Sequence, residues 1–125
     1  MLLPTAAEST GAYRLSTVEI KKLAYEALTP REKRASGLGF EIEPLLDANR
    51  YAFVTVTWHR TGPGSVIVEN LAIDMKTADV WSATASCLEK TNSGLLKVQI
   101  HLRKRLGLST SSYRKLKTNG PLCEN

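Results

Sequence analysis

The residues of this chain that could carry catalysis or hold a metal are few, and their spacing is uninformative. His59 and His101 are the two histidines. They stand far apart, on different kinds of predicted element, with no Cys or Glu neighbour at the spacing of C-x-x-C or H-E-x-x-H, so no metal site is expected. His59, on a strand beside Thr57 and Arg60, reads first as a solvated strand residue, and otherwise as a contact residue or a general base. Ser82, Ser86 and Cys87 lack the signature of a nucleophile elbow or of a paired base. Gly37-Leu38-Gly39 lacks the later glycine and the preceding strand of a phosphate-binding loop, and Gly62-Pro63-Gly64 reads as a hairpin tip. Glu41 and Glu43 share one face of a strand, where ordinary alternation toward solvent explains them. With the catalytic roles unfilled, the expectation is a non-enzymatic protein without catalytic residues, cofactor or metal.

Cys87 and Cys123 are the two cysteines and allow one intramolecular pairing. A bond between them would tie down the tail and stabilise the fold by roughly 3 to 4 kcal/mol in the chain-entropy picture. Such a bond persists only in an oxidising compartment, so a Cys87–Cys123 disulfide and an exported, periplasmic location are expected together. The opening Met1-Leu2-Leu3-Pro4-Thr5-Ala6-Ala7-Glu8 is similar to the end of a secretory leader, although it lacks the basic start and the length of one. Residues 1–15 are accordingly read as leader remnant or flexible lead-in, and 16–125 as a single α+β domain.

The formal charge of +5 is unevenly placed: seven Lys and Arg and no acid lie from Lys97 to Lys117. Lys97, His101, Lys104 and Arg105 fall on one side of a predicted helix, opposite Leu95, Val98, Leu102 and Leu106. A solvated helix face is the commonest meaning of such a pattern, and docking of an acidic partner the next. Nucleic acid ranks third, because Tyr113 is the one aromatic accompanying the patch and no nucleic-acid motif frames it. Among aromatic residues, Trp58 belongs with the inward set of its strand, whereas Trp81 is the better candidate for a surface anchor, since binding hot spots favour Trp, Tyr and Arg.

These residues need elements to position them, and 125 residues, 42% of them hydrophobic, suffice for one core. Ser16-Thr17-Val18-Glu19 has capping-box spacing, and Ile20, Leu23, Ala24, Ala27 and Leu28 form an apolar stripe behind it. Thr29-Pro30-Arg31-Glu32 repeats the box and predicts a second short helix to Ala35, closed by Gly37 and Gly39. From Phe40 the period becomes two. Ala52, Val54, Val56 and Trp58 alternate with Tyr51, Phe53, Thr55, Thr57 and His59, which leaves the second set as a semi-exposed face. Ser65 to Asp74 follows as a strand with Ile67, Leu71 and Ile73 inward and a register break near Glu69-Asn70; Val80 to Ser86 is the last strand. Helical spacing returns after Thr91-Asn92-Ser93, with Leu96 and Ile100 widening the apolar stripe, and Gly107 reads as a C-cap. Ser109 then starts a short helix through Leu116. The predicted fold is α+β: a four-stranded antiparallel meander packed on an N-terminal helix and a basic amphipathic C-terminal helix. No stretch approaches the roughly 20 apolar residues of a membrane span.

The helix followed by a meander containing AIDMKTADVW resembles the PepSY-like domains of exported bacterial proteins over residues 16 to 86. Those domains pack a helix on an antiparallel sheet and carry a hairpin of the form Asp-x-x-Thr-Gly-x-Val. Ala78 stands where that hairpin has glycine. A non-glycine residue in left-handed geometry costs on the order of 1 kcal/mol, so a different turn is expected here. Trp81 to Cys87, the basic helix and the final Pro-Leu-Cys are also similar to small uncharacterised periplasmic proteins of Gram-negative bacteria, which include immunity proteins against toxins delivered by neighbouring cells.

What these readings and resemblances imply is a non-enzymatic periplasmic binding protein, an inhibitor or immunity protein that neutralises a toxin effector or envelope enzyme. The expected contacts come from Tyr51, Phe53, His59, Trp81, Lys97, Lys104 and Arg105. Two alternatives stand beside it. A small ligand-binding or hydrolytic domain requires a pocket between sheet and helices. A cytosolic nucleic-acid binder requires free thiols and a steep salt dependence.

Overall fold

Capping chemistry starts the first helix where the spacing places it. Ser16 Oγ accepts the Glu19 amide at 3.2 Å and Glu19 Oε1 accepts the Ser16 amide at 2.8 Å, which opens α1 (Thr17–Glu26). Thr29 and Glu32 repeat the exchange at 3.1 and 2.8 Å around Pro30, the first residue of α2 (Pro30–Lys33). The computed structural model describes residues 14–44, 50–59, 64–84 and 88–121.

Four strands follow: β1 (Leu38–Ile42), β2 (Tyr51–His59), β3 (Ser65–Asp74) and β4 (Val80–Ser82), paired antiparallel in sequence order. Then come α3 (Ser93–Arg105) and α4 (Thr110–Leu116). The fold is therefore the predicted α+β meander with helices at both ends. Alternation puts Ala52, Val54 and Val56 of β2 on one face with Leu71 and Ile73 of β3 and Val80 of β4. This face packs against Ile20, Leu23, Ala24 and Leu28 of the first helical region and Leu95 and Leu102 of α3, all buried. Leu15 joins the same core from just before the cap.

Several details depart from the expected pattern. β1 begins at Leu38, so Gly39 lies within a strand instead of closing a helix. The register break lies at Val68, where Val56 pairs with Glu69 but Thr57 pairs with Ile67. That extra residue turns Ile67 to the face opposite Leu71 and Ile73, and it is 59% exposed. β4 stops at Ser82, and its far edge is paired by the segment after it: Ser82 donates to the Leu88 carbonyl, Lys90 to the Val80 carbonyl, and Glu89 stands opposite Trp81.

The turn between β3 and β4 keeps left-handed geometry, contrary to the expectation of a different turn: Ala78 adopts φ +66°. Asp74 makes this tolerable. Its Oδ1 accepts the amides of Lys76 at 2.8 Å and Thr77 at 3.2 Å, while the Ala78 amide donates to the Asp74 carbonyl. The carboxylate thereby holds the turn from inside, offsetting a cost on the order of 1 kcal/mol. At the end of α3, Gly107 at φ +75° makes a Schellman motif, with Leu108 donating to the Arg103 carbonyl and Gly107 to that of Lys104.

Cys87 and Cys123, and with them the expected disulfide, lie outside the described residues, as do Ser86, the Thr61 to Pro63 tip and the lead-in up to residue 13. Among the described residues no helix is long and apolar enough to cross a membrane.

Candidate partner-binding surfaces

The β3–β4 turn is the structural knot of the molecule. Asp74, Thr77 and Asp79 are all fully buried there. Asp79 Oδ2 accepts the Thr77 hydroxyl at 2.8 Å. Asp79 Oδ1 accepts Arg103 of α3 at 2.8 Å and the Tyr113 hydroxyl of α4 at 2.7 Å, with the Lys117 ammonium at 3.5 Å. Arg103 also donates Nε to the Thr77 carbonyl at 2.8 Å and stacks its guanidinium 4.2 Å from the Tyr113 ring centroid. Gln99 donates to the Ala78 carbonyl at 2.9 Å. On the other side, Arg50 pairs with Asp74 at 2.9 Å and reaches the Leu116 carbonyl. Two helices are thus fastened to one turn by buried, mutually neutralised charges.

Chemically this arrangement holds parts together. Burial, then the hydrogen bond to Asp79, holds the Tyr113 hydroxyl above its ordinary pKa. Burial by itself would lower Lys117, but its 2.7 Å bond to Glu89 and the charge of Asp79 prevail and raise it. Both groups keep their protons more firmly than in water, and the polar atoms that meet here are already satisfied by one another.

The same network brings the tail over Trp81. Register places Trp81 beside Ala72 on the outer sheet face, the face of Tyr51 and Phe53. Lys117 stands 5.1 Å over the Trp81 ring, Tyr51 meets it edge-on at 6.1 Å, and Gly120 lies so close that a Cβ there would stand 2.9 Å from Trp81 Cδ1. Trp81 is 2% exposed, which corrects its expected role as a surface anchor: the C-terminal segment covers it. Tyr51 is half-buried and its hydroxyl is 2.6 Å from that of Thr118, so it too belongs to the seam under the tail.

The remaining candidates divide. Phe53 is half-buried in a shallow outer-face cleft of about 220 Å³ with Thr55, Asn70 and Thr84. His59 is exposed at the end of β2, and its amide donates to the Gly37 carbonyl. Arg105 spends its fork on Glu19, with two bonds of 2.6 Å, and donates to the Arg14 carbonyl at 2.8 Å. Burial would raise the Glu19 pKa, yet the bonds from Arg105 and the Ser16 amide hold it below its ordinary value. Lys97 and Lys104 are exposed.

Sequence spacing misassigned Leu96 and Ile100. Expected to widen the buried stripe of α3, they are 49% and 56% exposed, one turn apart on its solvent side. Leu96 borders a cleft of about 330 Å³ with Gln99, Arg103 and Tyr113; Ile100 borders another of about 320 Å³ with Lys104, Leu108 and Tyr113. A third cleft, of about 700 Å³, runs between the end of the first helical region and the segment from Leu88 to Gly94. The cleft beside Leu96 also reaches Asp79 and Glu89, so it opens between α3, α4 and the β4 edge of the sheet, while the layer directly between sheet and helices is filled by Ile20, Leu23, Val54, Leu71 and Leu95. No group of three or more His, Cys, Asp or Glu side chains is gathered for a metal among the described residues.

No known protein family and no curated protein sequence matches the chain. In three dimensions it is similar to a chain from the structure of a type VI secretion system effector–immunity complex from Pseudomonas protegens. The TM-score is 0.58 at 16% identity, over 82% of this chain and 85% of that one. At that identity the likeness is one of fold.

Proposed function

We propose that this protein is a non-enzymatic binding protein of the immunity type, which neutralises a toxin effector by forming a stoichiometric complex with it. The observation that carries the reading is the fold shared over most of both chains with a component of an effector–immunity complex. The buried Asp79–Arg103–Tyr113 network is compatible with it, because these charged and polar groups bond to one another and lock α3 and α4 in place. The left-handed Ala78 is compatible with the PepSY-like hairpin, since an alanine there adopts the backbone conformation that glycine supplies in that pattern.

We place the protein in the periplasm with Cys87 and Cys123 joined. Glu89 pairs opposite Trp81 and Gly120 packs on its ring, so described residues close to each cysteine in sequence meet at one side chain. A tether between the two segments would keep the tail over Trp81 and Tyr51.

The test is neutralisation in cells. A strain producing the product of a candidate toxin-effector gene in the periplasm should stop growing, and co-production of this protein with an export leader should restore growth. If the exported protein gives no protection and no complex can be isolated with that product, the immunity reading fails.

A further inference from the structure

Four of the seven cations between Lys97 and Lys117 are left over after the internal pairing is complete. Arg103 is taken by Asp79, Arg105 by Glu19, and Lys117 by Glu89 and Asp79. Lys97 and Lys104 on α3, and Arg114 and Lys115 on α4, are exposed and have no acidic partner among the described residues. The sequence from Lys97 to Lys117 contains no acid that could serve. Surplus positive charge is therefore carried by the exposed surfaces of α3 and α4.

That face is also apolar at its centre. By helical angle, Leu96 and Ile100 lie between Lys97 and Lys104 on one side and Arg103 on the other. Both aliphatic side chains are about half exposed; Tyr113 lines the floor of the clefts beside both, with Leu108 beside Ile100, and with Asp79 and Glu89 beside Leu96, where Arg103 and Lys117 already pair with those two carboxylates. Arg103 and Tyr113 are themselves fixed by Asp79, so the floor is rigid and a docking group would meet a preformed surface. An aliphatic centre flanked by cations has the composition of a protein-binding patch.

We infer that the α3–α4 face, centred on Leu96 and Ile100 and flanked by Lys97 and Lys104, is the surface that engages the partner, and that it receives an acidic amphipathic protein segment. The inference rests on the immunity reading for the partner's identity and on charge complementarity for its chemistry. Duplex nucleic acid fits less well, because its phosphate backbone gains nothing from covering an aliphatic centre, whereas an amphipathic protein segment buries it.

The test uses the full-length protein, isotope-labelled for NMR, titrated with a synthetic amphipathic helix of Glu and Leu. Amide shifts should concentrate at residues 96–104 and 108–115, and binding should weaken as salt is added. Leu96→Ser with Ile100→Ser, and separately Lys97→Glu with Lys104→Glu, should each cut affinity at least tenfold while leaving the thermal melt in place, since all four side chains are exposed. Absence of binding, or shifts confined to the outer sheet face around Phe53, would overturn the inference. So would a duplex DNA of equal charge that displaces the peptide from the same amides. In a parallel arm, wild type and both double variants are mixed with the candidate toxin effector. A complex that forms equally well with wild type and both variants overturns the proposed face but leaves the immunity reading intact. Peptide binding at this face with no complex supports the face and counts against the immunity reading.

Discussion

Asp79 shows how one side chain sets the conditions for its neighbours. Fully buried, its carboxylate is balanced by Arg103 and the Tyr113 hydroxyl, both within 3 Å. Arg103→Met is expected to lower unfolding free energy by about 3 to 5 kcal/mol, measured by urea denaturation, because it strands the carboxylate without its guanidinium. Tyr113→Phe should cost less, about 1.5 to 3 kcal/mol, the range for a hydrogen bond to a charged group. A pH dependence follows. Tyr113 and Lys117 both have folded-state pKa values raised above their ordinary 10.0 and 10.5, so folding is favoured by their proton binding. That contribution is complete below the unfolded values and disappears as pH rises through the folded ones. Stability should therefore fall at alkaline pH from about 10 upward, and Tyr113→Phe should reduce the slope; an unchanged slope would show that the network is not its source.

At the scale of elements, local chemistry was legible and long-range chemistry was not. Ser16, Thr29, Asn92 and Ser109 cap four helices with side-chain acceptors, and each sits at a position that its own few neighbours announce. Ser16→Ala should accordingly cost about 1 kcal/mol in a thermal or urea melt, and Glu19 adds to α1 through Arg105 as well as through its cap. Because Glu19 titrates below its ordinary 4.5 in the folded chain, its contribution is present above that value and is lost as pH falls through the lowered one. The misplaced residues have a different cause. Leu96 and Ile100 carry the period of α3, but whether they are buried depends on where α4 lands, and α4 is fixed by an Asp79–Tyr113 bond spanning 34 residues. Nothing local to Asp79, Arg103 or Tyr113 marks them as partners. Trp81 was misjudged for the same reason, since its cover comes from Lys117 and Gly120 far along the chain. Shortening the chain after Leu116, which keeps α4 and its bond to Asp79, should therefore expose Trp81, read as a rise in acrylamide quenching of tryptophan fluorescence; unchanged quenching would mean that the tail does not protect the indole.

For the whole molecule, function has to be argued from surface, because the interior is a filled α+β core. Interior pairing uses up the charges that stability requires and leaves a cationic, partly aliphatic face on α3 and α4. Sequence composition located the positive charge there but could not say which of its seven cations were already spent. Compartment is the other whole-molecule property. An exported protein with Cys87 joined to Cys123 should show no free thiol when denatured without reductant and two when denatured with it; two free thiols in natively purified protein would remove the periplasmic assignment.

The most direct measurement is a titration of this protein into a fixed concentration of the toxin effector that it protects cells against, followed by the toxin's own activity and by light scattering of the mixture. Neutralisation that is complete at one equivalent, together with a single complex of the summed mass, is the result that an immunity protein requires. Toxin activity that persists at tenfold excess, with two species that never combine, would contradict it.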